Sequence, residues 1–577
     1  MSRKNKAEKP RKATRAPMGV GTIAFLLGLL ACGAVIAGIN YHGLTYDEPI
    51  YAGFGARSAK WIVTLLISLF DGDFAKQVSA PVINQAWFAS IDMQPPLVQV
   101  LSGLSQLGPG KVLSGMLSQR LPVALFFGLA IGTLFWFTDY AFNRPAAYFS
   151  ALGLFLMPRF FAHAHFATLD VPVAALILLT AATFYAASEE RSWNLSLFSG
   201  LFMGLALLTK LNAGFLIGIL LIWAAIFHPP MVLRGLVAFF IISPAVFLAG
   251  WPWLWHDTLP HLKQYLFFHL QHYPVLVYYL GELHEYAPWH YPFVMIGVTT
   301  PVIFLALMLL GLGYAASGRC AYERKKVRSS IVAVRWLLLM CAVGYLIPSA
   351  MPFSPKYNGV RLFLPALPFL MGLAGGGFAL VHGALARALE RVRALAEMPH
   401  FSERLAFLMG LGLLLPAAVG LLNVFPHEQA YYNALVGGPA GAQKRGFETI
   451  YWGGVYNAAL PALDTHEKQS PQILVTPQGV TSLLIAYQRG GGLRKDLRWT
   501  TPPPPKEQAT GWPQEALVGV DTVIFQCAQS EFDALSRKLY EQGRPEPTSV
   551  YLDGVPLLLI FSGDEARRLF PAAEKTE

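Results

Sequence analysis

The first apolar run of the chain, MGVGTIAFLLGLLACGAVIAGIN at residues 18–40, contains no charged side chain. A helix needs about 20 largely apolar residues to cross the hydrocarbon core of a bilayer, so this run predicts a membrane-spanning helix. It lacks a small-residue cleavage site, and we expect an anchor rather than a removed signal peptide. Comparable runs occupy 120–142, 169–187, 231–250, 292–316, 331–349, 361–383 and 404–422, and weaker ones occupy 145–157, 194–209 and 212–227. The sequence therefore predicts an α-helical integral membrane protein with about eleven spans.

The composition agrees with a chain that lies mostly in a bilayer. Hydrophobic residues make up 54% of the 577 positions and charged residues only 14%, whereas soluble proteins carry roughly 25% charged residues. This excludes a soluble multidomain enzyme and a disordered protein. The formal net charge of +10 lies in short segments between apolar runs. That placement is typical of a membrane protein and argues against nucleic acid as a partner.

Three short basic segments predict the orientation, because cytoplasmic loops are enriched in Lys and Arg. They are the tail at 1–17 and the loops at 317–330 and 384–404. With eleven spans, all three lie in the cytoplasm. The predicted organisation is a basic cytoplasmic tail at 1–17, a transmembrane domain at 18–422 with outer loops at 41–119 and 251–291, and an extracytoplasmic domain at 423–577. We expect the protein in the inner or plasma membrane.

Two outer segments carry secondary structure of their own. In the first outer loop, the short apolar stretches Ala59–Phe70 and Leu97–Leu107 predict helices that lie in the membrane interface. Residues 423–577 alternate strand-like and helix-like pieces, which predicts a small α/β domain. The predicted strands are Gln472–Thr476, Thr522–Cys527, Ser549–Leu552 and Val555–Phe561, and the predicted helices are near Val480–Gln488 and Ser530–Glu541.

Acidic residues stand at the outer ends of two spans. Asp47 and Glu48 follow the first span within a few residues, and Asp170 begins the fourth. Carboxylates at membrane depth are costly and mark functional sites by default. The alternative is that these aspartates only cap helices, since Asp is a favoured N-cap residue. Their common side favours the functional interpretation.

Two cations lie at the start of the long apolar run at 361–383. Lys356 and Arg361 enter the head of this helix from the outer face. A guanidinium at that depth needs an anionic partner, and a lipid phosphate suits it because Arg binds phosphate through two parallel hydrogen bonds. The alternative is an Arg that extends to ordinary lipid headgroups.

These residues form a pattern that resembles a known family. Asp47-Glu48, Gln94-Pro95-Pro96, Asp170-Val171-Pro172, the segment GLALLTK at 204–210 and the segment RLFLPALP at 361–368 occur in this order. The pattern is similar to the protein O-mannosyltransferase clan of polytopic C-type glycosyltransferases, which includes the lipid A aminoarabinose transferases. The resemblance covers roughly 18–422. The chain departs from the mannosyltransferases at Gln94, where they carry His, which puts that histidine's role and the acceptor in question.

The resemblance implies a sugar donor linked to a polyprenyl phosphate and an acceptor at the outer face, which is a protein, lipid A or another glycan or lipid. Asp47 would then be the catalytic acid/base residue, with Glu48 and Asp170 in support, and displacement without a covalent intermediate would invert the anomeric centre. The implied donor-phosphate ligands are Arg361, Lys356 and Lys210. Substrate contacts are expected from Gln94, His163, His165 and Tyr357. A polytopic lipid or sugar transporter is the alternative, and a non-catalytic scaffold is a further one.

Histidines suggest a competing metal site. His269 and His272 are three residues apart and would share a helix face, so that with Asp170 they are candidate ligands of a divalent metal ion. No other cofactor is predicted. Histidines beside interfacial tryptophans more often line the headgroup region, and the spacing lacks a metal-binding motif.

The tail after 423 contains aromatic and glycine-rich stretches such as Tyr451-Trp452-Gly453-Gly454. They either cover a saccharide and the membrane cavity or form ordinary turns. The sequence leaves both interpretations open.

Overall fold

The computed structural model describes residues 19–88, 93–108, 115–271, 274–317, 325–477, 479–502 and 514–571, without the side chains of 325–329. Its helices up to the last long apolar one are α1 Val20–Gly38, α2 Asp47–Asp71, α3 Phe74–Gln77, α4 Ala80–Trp87, α5 Leu97–Leu107, α6 Gly115–Ala141, α7 Arg144–Phe155, α8 Pro158–His163, α9 Asp170–Glu190, α10 Trp193–Leu207, α11 Phe215–Phe227, α12 Met231–Val237, α13 Ser243–Gly250, α14 Thr258–Leu270, α15 Tyr291–Thr299, α16 Val302–Ala316, α17 Lys325–Ala350, α18 Ala366–Leu389, α19 Arg393–Ala396 and α20 Phe401–Val424. A hairpin of β1 (Val277–Tyr279) and β2 (Glu282–His284) lies between α14 and α15.

The predicted membrane helices are present. Seven helical segments among the described residues are long and apolar enough to cross a bilayer: Val20–Tyr41, Gly115–Ala141, Asp170–Glu190, Met231–Gly250, Ser330–Ala350, Ala366–Leu389 and Phe401–Val424. The other four predicted runs form shorter helices, namely α7, α10, α11 and the pair α15 and α16. The helical membrane fold is confirmed, and the number of crossings stays a prediction.

Two predicted elements differ in the structure. Ala59–Phe70 is not a separate interfacial helix but the second half of α2, which begins at Asp47. Pro49 does not interrupt α2, because proline is tolerated in the first turn, where the missing N–H would have no partner. The run at 292–316 forms two helices. α15 ends at Thr299, and α16 begins at Val302, directly after Pro301.

The C-terminal part forms the predicted α/β domain. Its elements are α21 Gly438–Lys444, α22 Leu460–Asp464, β3 Gln472–Thr476, α23 Val480–Arg489, β4 Arg498–Thr500, β5 Thr522–Gln526, α24 Ala534–Gln542, β6 Val550–Leu552, β7 Val555–Ser562 and α25 Gly563–Leu569. The strand order is β4-β3-β5-β7-β6. β3 is parallel to β4 and β5, and β7 is antiparallel to β5 and β6. The edge strand β4 was not predicted, because three residues are too few for a period-2 pattern.

Helices α16 and α18 approach each other closely at a glycine. A Cβ atom on Gly311 would overlap the carbonyl oxygen of Leu373, whereas a Cβ on Gly313, in the same helix, would meet open space. Small residues at such crossings let membrane helices pack backbone against backbone.

We expect Gly311→Ala to lower the free energy of unfolding by about 1–3 kcal/mol, the usual effect of an overpacked contact. Thermal denaturation of the purified protein in detergent measures this change. Gly313→Ala is the matched control and should melt at or slightly above the wild-type temperature, because alanine has the higher helix propensity. Equal melting temperatures for the two variants would contradict the close approach.

Candidate active site

Four charged side chains from distant parts of the chain meet at one end of the helical bundle. Arg361 donates from Nη2 to Asp47 Oδ2 at 2.7 Å and from Nε to Asp170 Oδ2 at 2.9 Å. Lys210 Nζ lies 2.7 Å from the second oxygen of Asp170, Oδ1. We call these four residues the charged cluster.

The positions of these residues along the chain explain why they meet. Asp47 and Asp170 are the first residues of α2 and α9. Lys210 follows the end of α10, and Arg361 lies shortly before α18. The aspartates do not act as N-caps, since the N-cap residues are Tyr46 and Leu169. Their side-chain oxygens instead accept hydrogen bonds from the cluster's cations.

The two aspartates differ in accessibility. The side chain of Asp170 is 1% exposed, and both of its oxygens bind cations. The side chain of Asp47 is 25% exposed, and no described residue donates a hydrogen bond to its Oδ1. Asp47 is therefore the carboxylate that a substrate can reach, while Asp170 holds Lys210 and Arg361 side by side.

A residue from the C-terminal part completes the cluster. Trp452 Nε1 donates to Asp47 Oδ2 at 3.1 Å, and the guanidinium carbon of Arg361 lies 4.0 Å from the centre of a Trp452 ring. In the stretch at 451–454, Trp452 therefore packs against the charged cluster, and covering of a saccharide stays a prediction. Its role was missed because an aromatic residue 405 positions after Asp47 carries no local signal of proximity.

Glu48 points away from the charged cluster. Its side chain is fully buried and binds Arg120 through two hydrogen bonds of 2.7 and 2.8 Å. It also accepts hydrogen bonds from the backbone N–H groups of Thr45 and Ala167, each at 2.8 Å. Such a fully paired carboxylate orders the chain around it and is not available to a substrate.

The two predicted substrate-binding histidines lie in different surroundings. The His163 ring is 5.4 Å from Trp452, and no described residue hydrogen-bonds to its Nδ1. Burial, together with nearby Arg361, Arg159 and Lys210 and opposed by Asp170, lowers the pKa of His163 to about 3. His163 is therefore neutral. His165 instead stacks on His42 at 3.9 Å and binds the carbonyl of Phe161, so the structure does not bring it to the cluster.

Residues 95–256 match the sequence model of the dolichyl-phosphate-mannose-protein mannosyltransferase family. The predicted family resemblance is confirmed. The match also confirms the prediction of a membrane glycosyltransferase. This mannosyltransferase-like segment contains Asp170 and Lys210 of the charged cluster, whereas Asp47 and Arg361 lie on either side of it. No curated protein has a sequence that matches the chain.

Three solved structures are similar to most of this chain. ArnT from Cupriavidus metallidurans in the apo state has a TM-score of 0.49 and 16% identity, covering 94% of this chain and 98% of that one. ArnT bound to undecaprenyl phosphate has a TM-score of 0.47 and 15% identity over the same shares. An oligosaccharyltransferase from Archaeoglobus fulgidus, in complex with Zn and sulfate, has a TM-score of 0.42 and 13% identity, covering 88% of this chain and 68% of that one.

The remaining predicted site residues lie outside the mannosyltransferase-like segment in the sequence. They do not take part in the cluster's ion pairs. Lys356 is buried and donates to the carbonyls of Met351 and Ser354 in its own loop. Tyr357 is partly buried and interacts electrostatically with Arg361. Gln94 lies just before α5, and its Oε1 is buried with no hydrogen-bond partner among the described residues.

The metal-site candidates do not converge in the described part of the chain. His269 contacts the carbonyl of Met93 at 3.3 Å, and His272 lies outside the described residues. Asp170 is occupied by its two cations. Within the described ranges no three His, Cys, Asp or Glu side chains could hold a metal ion together.

Two glutamates of the C-terminal part lie behind the cluster, next to Tyr46. Glu531 accepts a hydrogen bond from the Tyr46 hydroxyl at 3.0 Å, and Glu448 accepts two from Ser530. Burial raises the pKa of Glu448 to about 8 and that of Glu531 to about 7. Both carboxyl groups are therefore largely protonated in the folded protein below these values.

We expect Glu448→Gln and Glu531→Gln to make the protein's stability less dependent on pH. A carboxyl whose pKa is raised by folding stabilises the folded state below its ordinary pKa, and this contribution is lost as the pH rises through about 7 or 8. At pH 9 each neutral variant should be more stable by about 3–5 kcal/mol, since one unit of pKa shift corresponds to about 1.4 kcal/mol, and at pH 5 nearly unchanged. Melting temperatures across this range measure the effect, and the exposed Glu541→Gln is the control. Parallel curves for all three variants would contradict the shifts.

Proposed function

We propose that the protein transfers a sugar from a polyprenyl-phosphate-linked donor to an acceptor at the outer face of the membrane. The charged cluster carries this proposal, because it places one accessible carboxylate beside two cations. The match to a family that uses dolichyl-phosphate-mannose supports a lipid-phosphate donor. The sugar and the acceptor, a protein, lipid A or another glycan or lipid, are not specified by these residues.

Asp47 is the proposed general base. An acceptor hydroxyl must lose a proton as it attacks the anomeric carbon, and a carboxylate within hydrogen-bond reach accepts it. Asp47 Oδ1 is free to do so, because Arg361 and Trp452 both bind Oδ2. Attack by one nucleophile without a covalent intermediate inverts the anomeric centre.

Arg361 and Lys210 are the proposed ligands of the donor phosphate. The leaving group is a lipid phosphate whose negative charge increases as the bond to the sugar breaks, and fixed cations stabilise such charge. Asp170 binds both cations and so serves as a positioning residue. Glu48, by contrast, has a purely structural role in this proposal.

A lipid or sugar transporter is the alternative function. Transporters place their binding sites near the bilayer midplane, in broken helices of two repeated halves. The charged cluster instead lies at helix ends, where α2 and α9 begin. This position favours chemistry at the membrane surface.

We also propose that the N-terminal tail is cytoplasmic and that the C-terminal domain is extracytoplasmic. An enzyme reporter fused after residue 577 should be active only outside the cytoplasm, and one inserted near residue 325 only inside. A C-terminal reporter active in the cytoplasm would mean that a weak span, first of all 145–157, does not cross the membrane.

For the site, we expect Arg361→Ala to weaken binding of a polyprenyl phosphate by tenfold or more. Arg361→Lys should also weaken it, because an ammonium cannot form two parallel hydrogen bonds.

Asp47→Asn should retain binding yet lower the transfer rate by two orders of magnitude or more, since it removes the base. Binding is measured on the purified full chain. Transfer is measured by mass spectrometry of surface glycoconjugates, as the rate at which a modification lost in a deletion strain reappears after induction of the variant.

Arg393→Ala is the matched control for charge, because Arg393 is exposed and pairs only with Glu397 of its own turn. It should bind and transfer like the wild type. A wild-type protein that binds no polyprenyl phosphate, or a deletion strain with unaltered glycoconjugates, would exclude the proposed function.

A further inference from the structure

Trp452 is buried between the membrane helices and the C-terminal domain. It lies after α20, in the segment between α21 and α22, and is only 1% exposed. Its rings contact Phe166 at 5.8 Å and His163 at 5.4 Å, both from the loop and helix that precede α9. The indole therefore has a fixed position against the membrane part.

The backbone around Trp452 is held in a conformation that a tryptophan adopts rarely. Its φ is +73°, and Gly453 follows with φ +86°. The Trp452 carbonyl accepts a hydrogen bond from Tyr46 N at 3.2 Å, and Gly453 N donates to Gln526 Oε1 at 3.0 Å. A Cβ on Gly453 would crowd the Tyr46 ring. A left-handed conformation that persists in a bulky residue indicates that the surrounding structure requires it, and such residues concentrate at functional sites.

This conformation lets one side chain contact both ends of the Asp47–Arg361 ion pair. The indole N–H donates to Asp47, and the π face of the indole lies against the Arg361 guanidinium. A donor phosphate that binds Arg361 competes with Asp47 for its N–H groups. Because the indole N–H binds Asp47 Oδ2 independently of Arg361, it would hold the carboxylate in place during such an exchange.

We propose that Trp452 is a positioning residue of the transfer reaction, which holds Asp47 through its N–H and Arg361 through its ring. This inference rests on the proposed function. Because the two contacts use different parts of the indole, they are separable by substitution. Phenylalanine retains an aromatic face for Arg361 and removes the N–H, whereas leucine removes both.

The experiment measures two quantities for each full-length variant: the affinity for a polyprenyl phosphate and the rate at which the lost modification reappears in the deletion strain. Trp452→Phe should bind within about twofold of the wild type and transfer about tenfold more slowly, the scale of a hydrogen bond to a charged group. Trp452→Leu should also bind about three- to tenfold more weakly, since the cation–π contact is lost. Melting temperatures are recorded in parallel.

Trp499→Phe is the matched control. Trp499 lies in β4 of the same domain and donates its indole N–H to Gln488 at 2.7 Å, away from the cluster. It should leave both quantities unchanged. A Trp452→Phe variant that matches Trp499→Phe in both quantities overturns the inference, and so does one whose affinity and rate fall together with its melting temperature. A wild type that binds no polyprenyl phosphate overturns the proposed function itself, and this inference with it.

Discussion

The buried ion pair between Arg120 and Glu48 is the interaction on which the candidate site depends. All five N–H donors of Arg120 are used: three bind the carbonyls of Ile39, His42 and Gly43, and two bind Glu48. A guanidinium inside a helical bundle is tolerated only when its charge and its donors are satisfied in this way. These bonds fix the turn between α1 and α2. Asp47, the residue before Glu48, therefore projects into the charged cluster.

The charged cluster balances its own formal charges. Two cations and two carboxylates lie within hydrogen-bond distance, so their formal charges cancel. An unpaired cation at this depth would be costly. Asp170 is buried, so its ion pairs with the cations are fixed. Asp47 is accessible, so its ion pair with Arg361 can be exchanged for another partner. The same two carboxylates therefore stabilise the cations and, in the proposed function, mark where a phosphate and a hydroxyl bind.

Much of this arrangement was predictable from the sequence, for reasons that differ between its parts. Apolar length alone located the membrane helices, and the alternation of short segments located β3, β5 and β7. The side of the membrane shared by Asp47, Asp170 and Arg361 followed from helix ends that alternate between two faces. The pairing of side chains did not follow. Asp47 and Glu48 are adjacent in sequence, yet the turn of a helix directs one to the cluster and the other to Arg120.

Long-range contacts were the other part that the sequence could not supply. The sequence predicted a lipid phosphate as the anionic partner of Arg361 and not Asp47 or Asp170, which are 314 and 191 positions away. Lys356, only five residues from Arg361, binds carbonyls of its own loop instead. Proximity in sequence was therefore a poor guide to which cation joins the cluster. The contacts within the cluster depend on tertiary packing, which no local sequence pattern encodes.

The contacts of the α1–α2 turn with the C-terminal domain have a consequence for biogenesis. Leu44 N binds the Tyr487 hydroxyl at 2.7 Å, the Tyr41 carbonyl binds Asn457 at 2.7 Å, and Tyr46 binds Trp452 and Glu531. A ribosome synthesises α1 and α2 long before it synthesises the partner residues of this turn. The full set of contacts around Asp47 is therefore completed only after residue 531 has been made, when α20 has already been synthesised. A nascent chain that ends before residue 452 holds Asp47 without the indole that contacts it.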